Sequence, residues 1–138
     1  MVAGSIRKRV INIELNEYQE QCRRTQREDL PLWATREHAL YGLAAEVGEI
    51  HSLHQKVHQG RPMDDQALML EVGDAMWMIC ELLDCYGMTL EEVAQANIEK
   101  LRIRYKKKFT VEECEKRVDT KEHGIKARHY AKGEGRRG

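Results

Sequence analysis

Apolar residues recur every three or four positions along most of residues 15–107, and the recurrence breaks at Pro31, at Gly60 with Pro62, and at Gly87. Between those breaks the spacing predicts helices. Asn16 is the expected N-cap of a first helix running to about Arg27, with Leu15, Tyr18 and Cys22 on one side. Thr35 is the expected cap of a second, about Arg36 to Gln59, ending at Gly60. Asp64 or Asp65 opens a third that ends at Gly87. Thr89 with Glu92 forms a capping box for a fourth, to about Lys107. Residues 111–122 make a short fifth. No segment alternates as a strand would, so the expected class is all-α with a four-helix core. Residues 1–14 read as a loose arm, 15–122 as the domain and 123–138 as a basic tail.

The second and third helices echo each other. With about 100° per residue and Glu46 as zero, Leu40, Leu43, Val47, Ile50 and Val57 fall in an arc of roughly 20° to 120°. Taken from Glu71, the residues Leu68, Val72, Ala75, Ile79, Leu82, Leu83 and Tyr86 fill nearly the same arc. Each helix sets one acid at the edge of its stripe (Glu46, Glu71) and a second, three residues on, about 60° outside it (Glu49, Asp74). If the stripes pack together, the acid pairs line one cleft. Gly48 and Gly73 precede the second acids and cost about 1 kcal/mol each in helix propensity against alanine. Close approach of backbone or ligand would explain them; so would simple solvent exposure.

Charge adds an asymmetry. The 138 residues sum to zero, but residues 1–99 carry 9 Lys/Arg against 17 Asp/Glu, and residues 100–138 carry 14 against 6. An acidic body with a basic end suits nucleic-acid binding through the tail, folding of the tail over the acidic cleft, or a merely solvated C-terminus. Four cysteines without C-x-x-C spacing, and no secretory segment ahead of them, read as reduced thiols of a cytoplasmic protein. No apolar run approaches the roughly 20 residues of a membrane span.

The acids are the strongest chemical signal. One E-x-x-E carries almost no information, because glutamates at i, i+3 are common on solvated helix faces. Two matching pairs beside apolar stripes, with Ile50, Leu53, Ala75 and Met78 at the i+4 positions where basic partners would stand, are harder to place on a solvated face. Like charges at a core boundary call for a cation between them. Oxygen-only ligands suit a hard divalent ion, Mg²⁺ above all, and so phosphate chemistry.

The order Leu43-Ala-Ala-Glu46-Val-Gly-Glu49, then Leu70-Glu71-Val-Gly-Asp74-Ala-Met-Trp77, then Asn97-Ile-Glu-Lys100-Leu-Arg-Ile-Arg104-Tyr105 resembles the MazG-like nucleoside triphosphate pyrophosphohydrolases. Leu15-Asn-Glu-Tyr18-Gln19 and the stretch from Phe109 to Arg117 are similar to the small single-domain members. Lys106 departs from the pattern, standing where such members often carry proline. The resemblance implies an all-α domain in a homodimer or homotetramer, and Mg²⁺ (Mn²⁺ as substitute) held by Glu46, Glu49, Glu71 and Asp74. It implies hydrolysis of a nucleoside triphosphate to monophosphate and pyrophosphate, with Glu49 or Glu46 as the catalytic base. Asn97, Lys100, Arg104 and Tyr105 would bind substrate. Lys56, on nearly the helical line of Glu49, is a further candidate for phosphate. A helical module that binds nucleic acid or a partner through the basic tail is the alternative; intact acid sets favour the enzyme.

His51, His54 and His58 share one face of the second helix at i, i+3, i+7, a spacing open to Zn²⁺ or Ni²⁺, with a polar helix end or subunit contact as the blander reading. No E-x-x-H exists, which argues against a di-iron bundle. Trp33, Trp77 and Tyr18 are candidates for base stacking, against core or interface packing as the ordinary role of such residues.

Overall fold

A computed structural model describes residues 12–117. They form five helices and no strand: α1 (Leu15–Arg23), α2 (Leu32–His58), α3 (Asp65–Cys85), α4 (Leu90–Arg104) and α5 (Val111–Lys116). The expected arm and tail fall largely on residues 1–11 and 118–138, outside the described residues; so does the second half of the expected fifth helix, whose described part ends at Arg117 in a left-handed conformation.

Two helix ends match the glycine signals closely. Gly60 and Gly87 both have positive φ (85° and 65°). At the first, the Arg61 N–H donates to the Lys56 carbonyl and the Gly60 N–H to the Val57 carbonyl. At the second, Met88 donates to Leu83 and Gly87 to Asp84. Both are the paired bonds by which a left-handed glycine closes a helix. Asp64 caps α3 by accepting from the Ala67 amide, and the Thr89–Glu92 capping box on α4 is complete. α4 nevertheless stops three residues short of Lys107, because Tyr105 is extended (φ −118°, ψ 104°) even without a following proline.

Two expected caps are corrected. α2 begins at Leu32, with Pro31 in the N-cap position. The Pro31 carbonyl accepts from the amides of Ala34 and Thr35, so the chain turns helical as soon as the proline ring has fixed φ, and Thr35 lies in the first turn. Asn16 lies inside α1, which starts at Leu15 after Glu14 and has no side-chain cap. Its amide serves another helix: Asn16 Oδ1 accepts from the Glu91 N–H at 3.2 Å, and its Nδ2 donates to the Glu91 carboxylate at 2.8 Å. The Leu90 N–H donates to Gln19 Oε1 (2.6 Å) and the Glu92 N–H to Thr89 Oγ1 (3.2 Å). The first three amides of α4 thus find acceptors from three side chains, two of them on α1. α1 also ends early, at Arg23, where the Thr25 hydroxyl bonds back to the Cys22 carbonyl.

α2 and α3 form the central antiparallel pair. His38 meets Glu81, Gly42 meets Met78, and Glu46 meets Asp74, the second number falling as the first rises. At Gly42 a Cβ would sit 2.4 Å from the Met78 sulfur, so the missing side chain lets Met78 lie against the α2 backbone. Gly48 and Gly73, by contrast, have open space where a Cβ would go.

α1 crosses α3. Tyr18 Oη donates to the Gly73 carbonyl (3.3 Å), and Trp77 Nε1 donates to Thr25 Oγ1 (2.8 Å). Asp84 accepts from Gln19, from two Arg23 nitrogens and from Gln26. Among the described residues the buried apolar set is small: Cys22, Ala39, Leu53, Cys80 and Leu83. The expected apolar stripes are only half used. Leu40, Val47 and Val57 of α2 and Val72 and Tyr86 of α3 are exposed, because α2 turns Ala39, Gly42, Glu46 and Leu53 toward α3 instead. Tyr41, Met69, Leu70 and Met76 are also left facing outward.

Candidate metal centre

The antiparallel pairing sets Glu46 of α2 opposite Glu71 and Asp74 of α3. One carboxylate oxygen from each lies within 4.8 Å of the others. Glu46 and Glu71 are half-buried and Asp74 is exposed, so the group lies at a boundary between core and solvent. The Glu46 carboxyl is held above its ordinary value, first by burial and then by the charges of Asp74, Glu71 and Glu49. Its carboxyl also shares a hydrogen bond with Glu71. Crowding of this kind disfavours the third and fourth negative charges, and a bound divalent cation removes the penalty. The donor set is oxygen throughout and fits a hard ion.

Glu49, one turn beyond Glu46, is exposed and outside the three-carboxylate group, though its charge still reaches Glu46. Lys56 lies ten residues beyond Glu46, about 15 Å along the helix axis. There it lines a cavity of about 470 Å³ with Leu53, Arg61, Pro62, Met63, Asp64 and Asp65. α4 docks mainly on α1, and Asn97 and Lys100 make no hydrogen bond or ion pair to the acids among the described residues. The Arg104 guanidinium lies over the Tyr105 ring at 5.9 Å, and Tyr105 stacks obliquely on Phe109 at 5.4 Å. Within one chain the acids Glu46, Glu71 and Asp74 are assembled.

Next to the acids the structure adds residues that spacing did not single out. His38, two turns before Glu46, bonds through Nδ1 to Glu81 Oε2 at 2.6 Å and meets the Trp77 ring edge-on at 6.4 Å. Trp77 is thereby held inside the chain, by Thr25 just after α1 and by His38 of α2, while Trp33 is 62% exposed. Tyr18, at the crossing of α1 and α3, has its hydroxyl pushed upward by burial and then by its hydrogen bond to Cys22. No local pattern marks His38, because its partner is 43 residues away.

An all-helical domain with a carboxylate group at the centre of its longest helix pair is a candidate divalent-cation hydrolase. Residues 34–109, more than half of the chain, match the family described as the MazG nucleotide pyrophosphohydrolase domain, and the protein belongs to that family. Searches of curated proteins and of solved structures return no match. No helix among the described residues is long and apolar enough to cross a membrane.

Proposed function

We propose that this protein hydrolyses a (deoxy)nucleoside triphosphate to the monophosphate and pyrophosphate, with Mg²⁺ required and Mn²⁺ able to replace it, in nucleotide-pool cleaning or control. The convergence of Glu46, Glu71 and Asp74 carries this reading, in a chain whose family is one of nucleotide pyrophosphohydrolases. Those three residues, with Glu49 beside them, would hold the ion. Mg²⁺ supplies charge neutralisation on the triphosphate oxygens and a lowered pKa for water.

The rest falls to the chain's own groups. Glu49, the most solvent-open of the α2 pair, accepts the proton of the attacking water, with Glu46 as the other carboxylate in reach. Carboxylates cannot hold phosphate, so cations and donors must complete the site: Lys56, Asn97, Lys100, Arg104 and Tyr105 take the phosphate oxygens. A homodimer or homotetramer would cover the outward-facing Leu40, Tyr41, Val47, Met69 and Val72, a need supported by the five buried apolar residues of the described chain.

The test is pyrophosphate release across a panel of nucleoside and deoxynucleoside triphosphates with Mg²⁺. At least one substrate is expected to turn over, and Asp74→Asn, Glu71→Gln or Glu49→Gln to lower the rate by about 10²-fold or more. Silence across the whole panel at micromolar protein would sink the proposal. Light scattering on the eluting peak tests the assembly separately.

A further inference from the structure

We propose that His54 and His58 form a second metal site, chelating a borderline-soft divalent cation of the Zn²⁺, Ni²⁺ or Cu²⁺ class on the surface of α2. The two residues are four apart, so their imidazoles rise from adjacent turns about 40° apart around the axis and 6 Å along it. Two histidines at that spacing on one helix hold a single transition ion in other metal centres.

The helix needed for that geometry continues to the second histidine. α2 runs unbroken through His58, and the paired bonds at Gly60 and Arg61 fix its last turn. Both side chains are exposed. Neither has a hydrogen bond, ion pair or ring contact to another described residue, so a ring nitrogen on each is available as a donor. Lys56 lies between them in sequence but about 200° around the helix from each, so no ammonium stands against the ion.

His51 belongs to the same face but cannot join the same ion. It lies seven residues from His58, about 10 Å along the axis, whereas zinc–imidazole bonds are about 2.0–2.1 Å. Its pairing with His54, at i, i+3, is offset by about 60° and is the weaker alternative. This centre offers nitrogen where Glu46, Glu71 and Asp74 offer only oxygen, so the two sort cations by hardness. Water or a further donor completes the coordination of the ion.

The experiment is Cu²⁺ titration of the untagged full chain in excess Mg²⁺, followed by electron paramagnetic resonance. Saturable binding at one ion per chain is expected, with hyperfine splitting from two imidazole nitrogens. His54→Gln and His58→Gln should each abolish the two-nitrogen signal, and His51→Gln should preserve it. Exchanging the residues at 58 and 59 (His58→Gln with Gln59→His) keeps six histidines but breaks the spacing, and should also abolish it. Nitrogen splitting that survives His58→Gln, or that depends on His51 instead, would overturn the assignment. So would a signal with oxygen ligands alone. Pyrophosphohydrolysis is a separate readout, and its failure leaves this test intact.

Discussion

Glu81 on α3 is 1% exposed, and its Oε2 lies 2.6 Å from His38 Nδ1 on α2, eight residues before Glu46. Among the described residues this histidine is the hydrogen-bond partner of that buried carboxylate. A buried acid stripped of its partner keeps the full desolvation cost. His38→Ala is therefore expected to destabilise the protein by about 2–3 kcal/mol, somewhat less than a fully buried pair costs because the imidazole is half-exposed. Urea denaturation reads the loss. Combining it with Glu81→Leu should recover most of it; a single mutant as stable as the parent would mean that Glu81 is compensated elsewhere.

Gln19 is completely buried, and every polar atom of its amide is engaged. Nε2 donates to Asp84 (2.8 Å) and to the Met88 carbonyl (3.0 Å), while Oε1 accepts from the Leu90 amide. Gln19→Leu leaves an N–H and a carbonyl without partners and should cost about 2–6 kcal/mol, at about 1–3 kcal/mol for each orphaned group. Hydrogen exchange at Leu90 should accelerate more than exchange in the middle of α3. Equal acceleration everywhere would point to a global loss instead.

The raised Glu46 carboxyl makes stability depend on pH in a defined direction. A carboxyl whose folded value exceeds its unfolded value of about 4.5 stabilises the fold while protonated. That contribution is present below 4.5 and is lost as the pH rises through the raised folded value. In chelator the melting temperature should fall across this window, and Mg²⁺ should flatten the fall. Glu71→Gln should make it shallower without metal but not abolish it, since burial is the larger cause. A metal-free profile that rises through the same window would contradict the crowding at Glu46.

Burial first, and Cys22 second, push the Cys80 thiol up to about 12. The thiolate is the reactive form, so Cys80 should resist iodoacetamide at pH 8 in the folded protein and react readily in urea. Peptide mapping after a timed exposure distinguishes the sites. Labelling of Cys80 at the same rate in both states would show that the crossing of α1 and α3 opens freely.

Helix existence was legible because its signals are local. Gly60, Gly87, Asp64 and the Thr89–Glu92 pair act within one turn of where they stand, and each does in the fold what its chemistry favours. The acid pairs were legible for a related reason: helical period alone sets Glu46 and Glu71 at matching places, and an antiparallel partner brings them together. Asn16 was misread because its best hydrogen bonds lie 75 residues away, a gain larger than capping its own helix. The wheel also placed the apolar arc to one side of Glu46, whereas the face turned to α3 is centred near Glu46 itself, with Gly42 and Leu53 just outside that arc. Gly42 faces α3 because it leaves room for Met78, where any Cβ would clash with the Met78 sulfur.

The way α4 is attached has a mechanical meaning. Its start is stitched to α1 by Asn16 and Gln19, while α1 is stitched to α3 through Asp84 and Tyr18, and the turn after α1 through Thr25 and Trp77. The basic residues of α4 therefore inherit their place from a nine-residue helix that carries none of the acids. A tilt of α1 would move Lys100 and Arg104 together, like a boom on its mast, and leave Glu46, Glu71 and Asp74 where they are. The gap between the two charge systems is thus set at the α4–α1 joint by the amide side chains of Asn16 and Gln19, and at the α1–α3 joint partly by the Arg23–Asp84 ion pair, a link that salt would loosen.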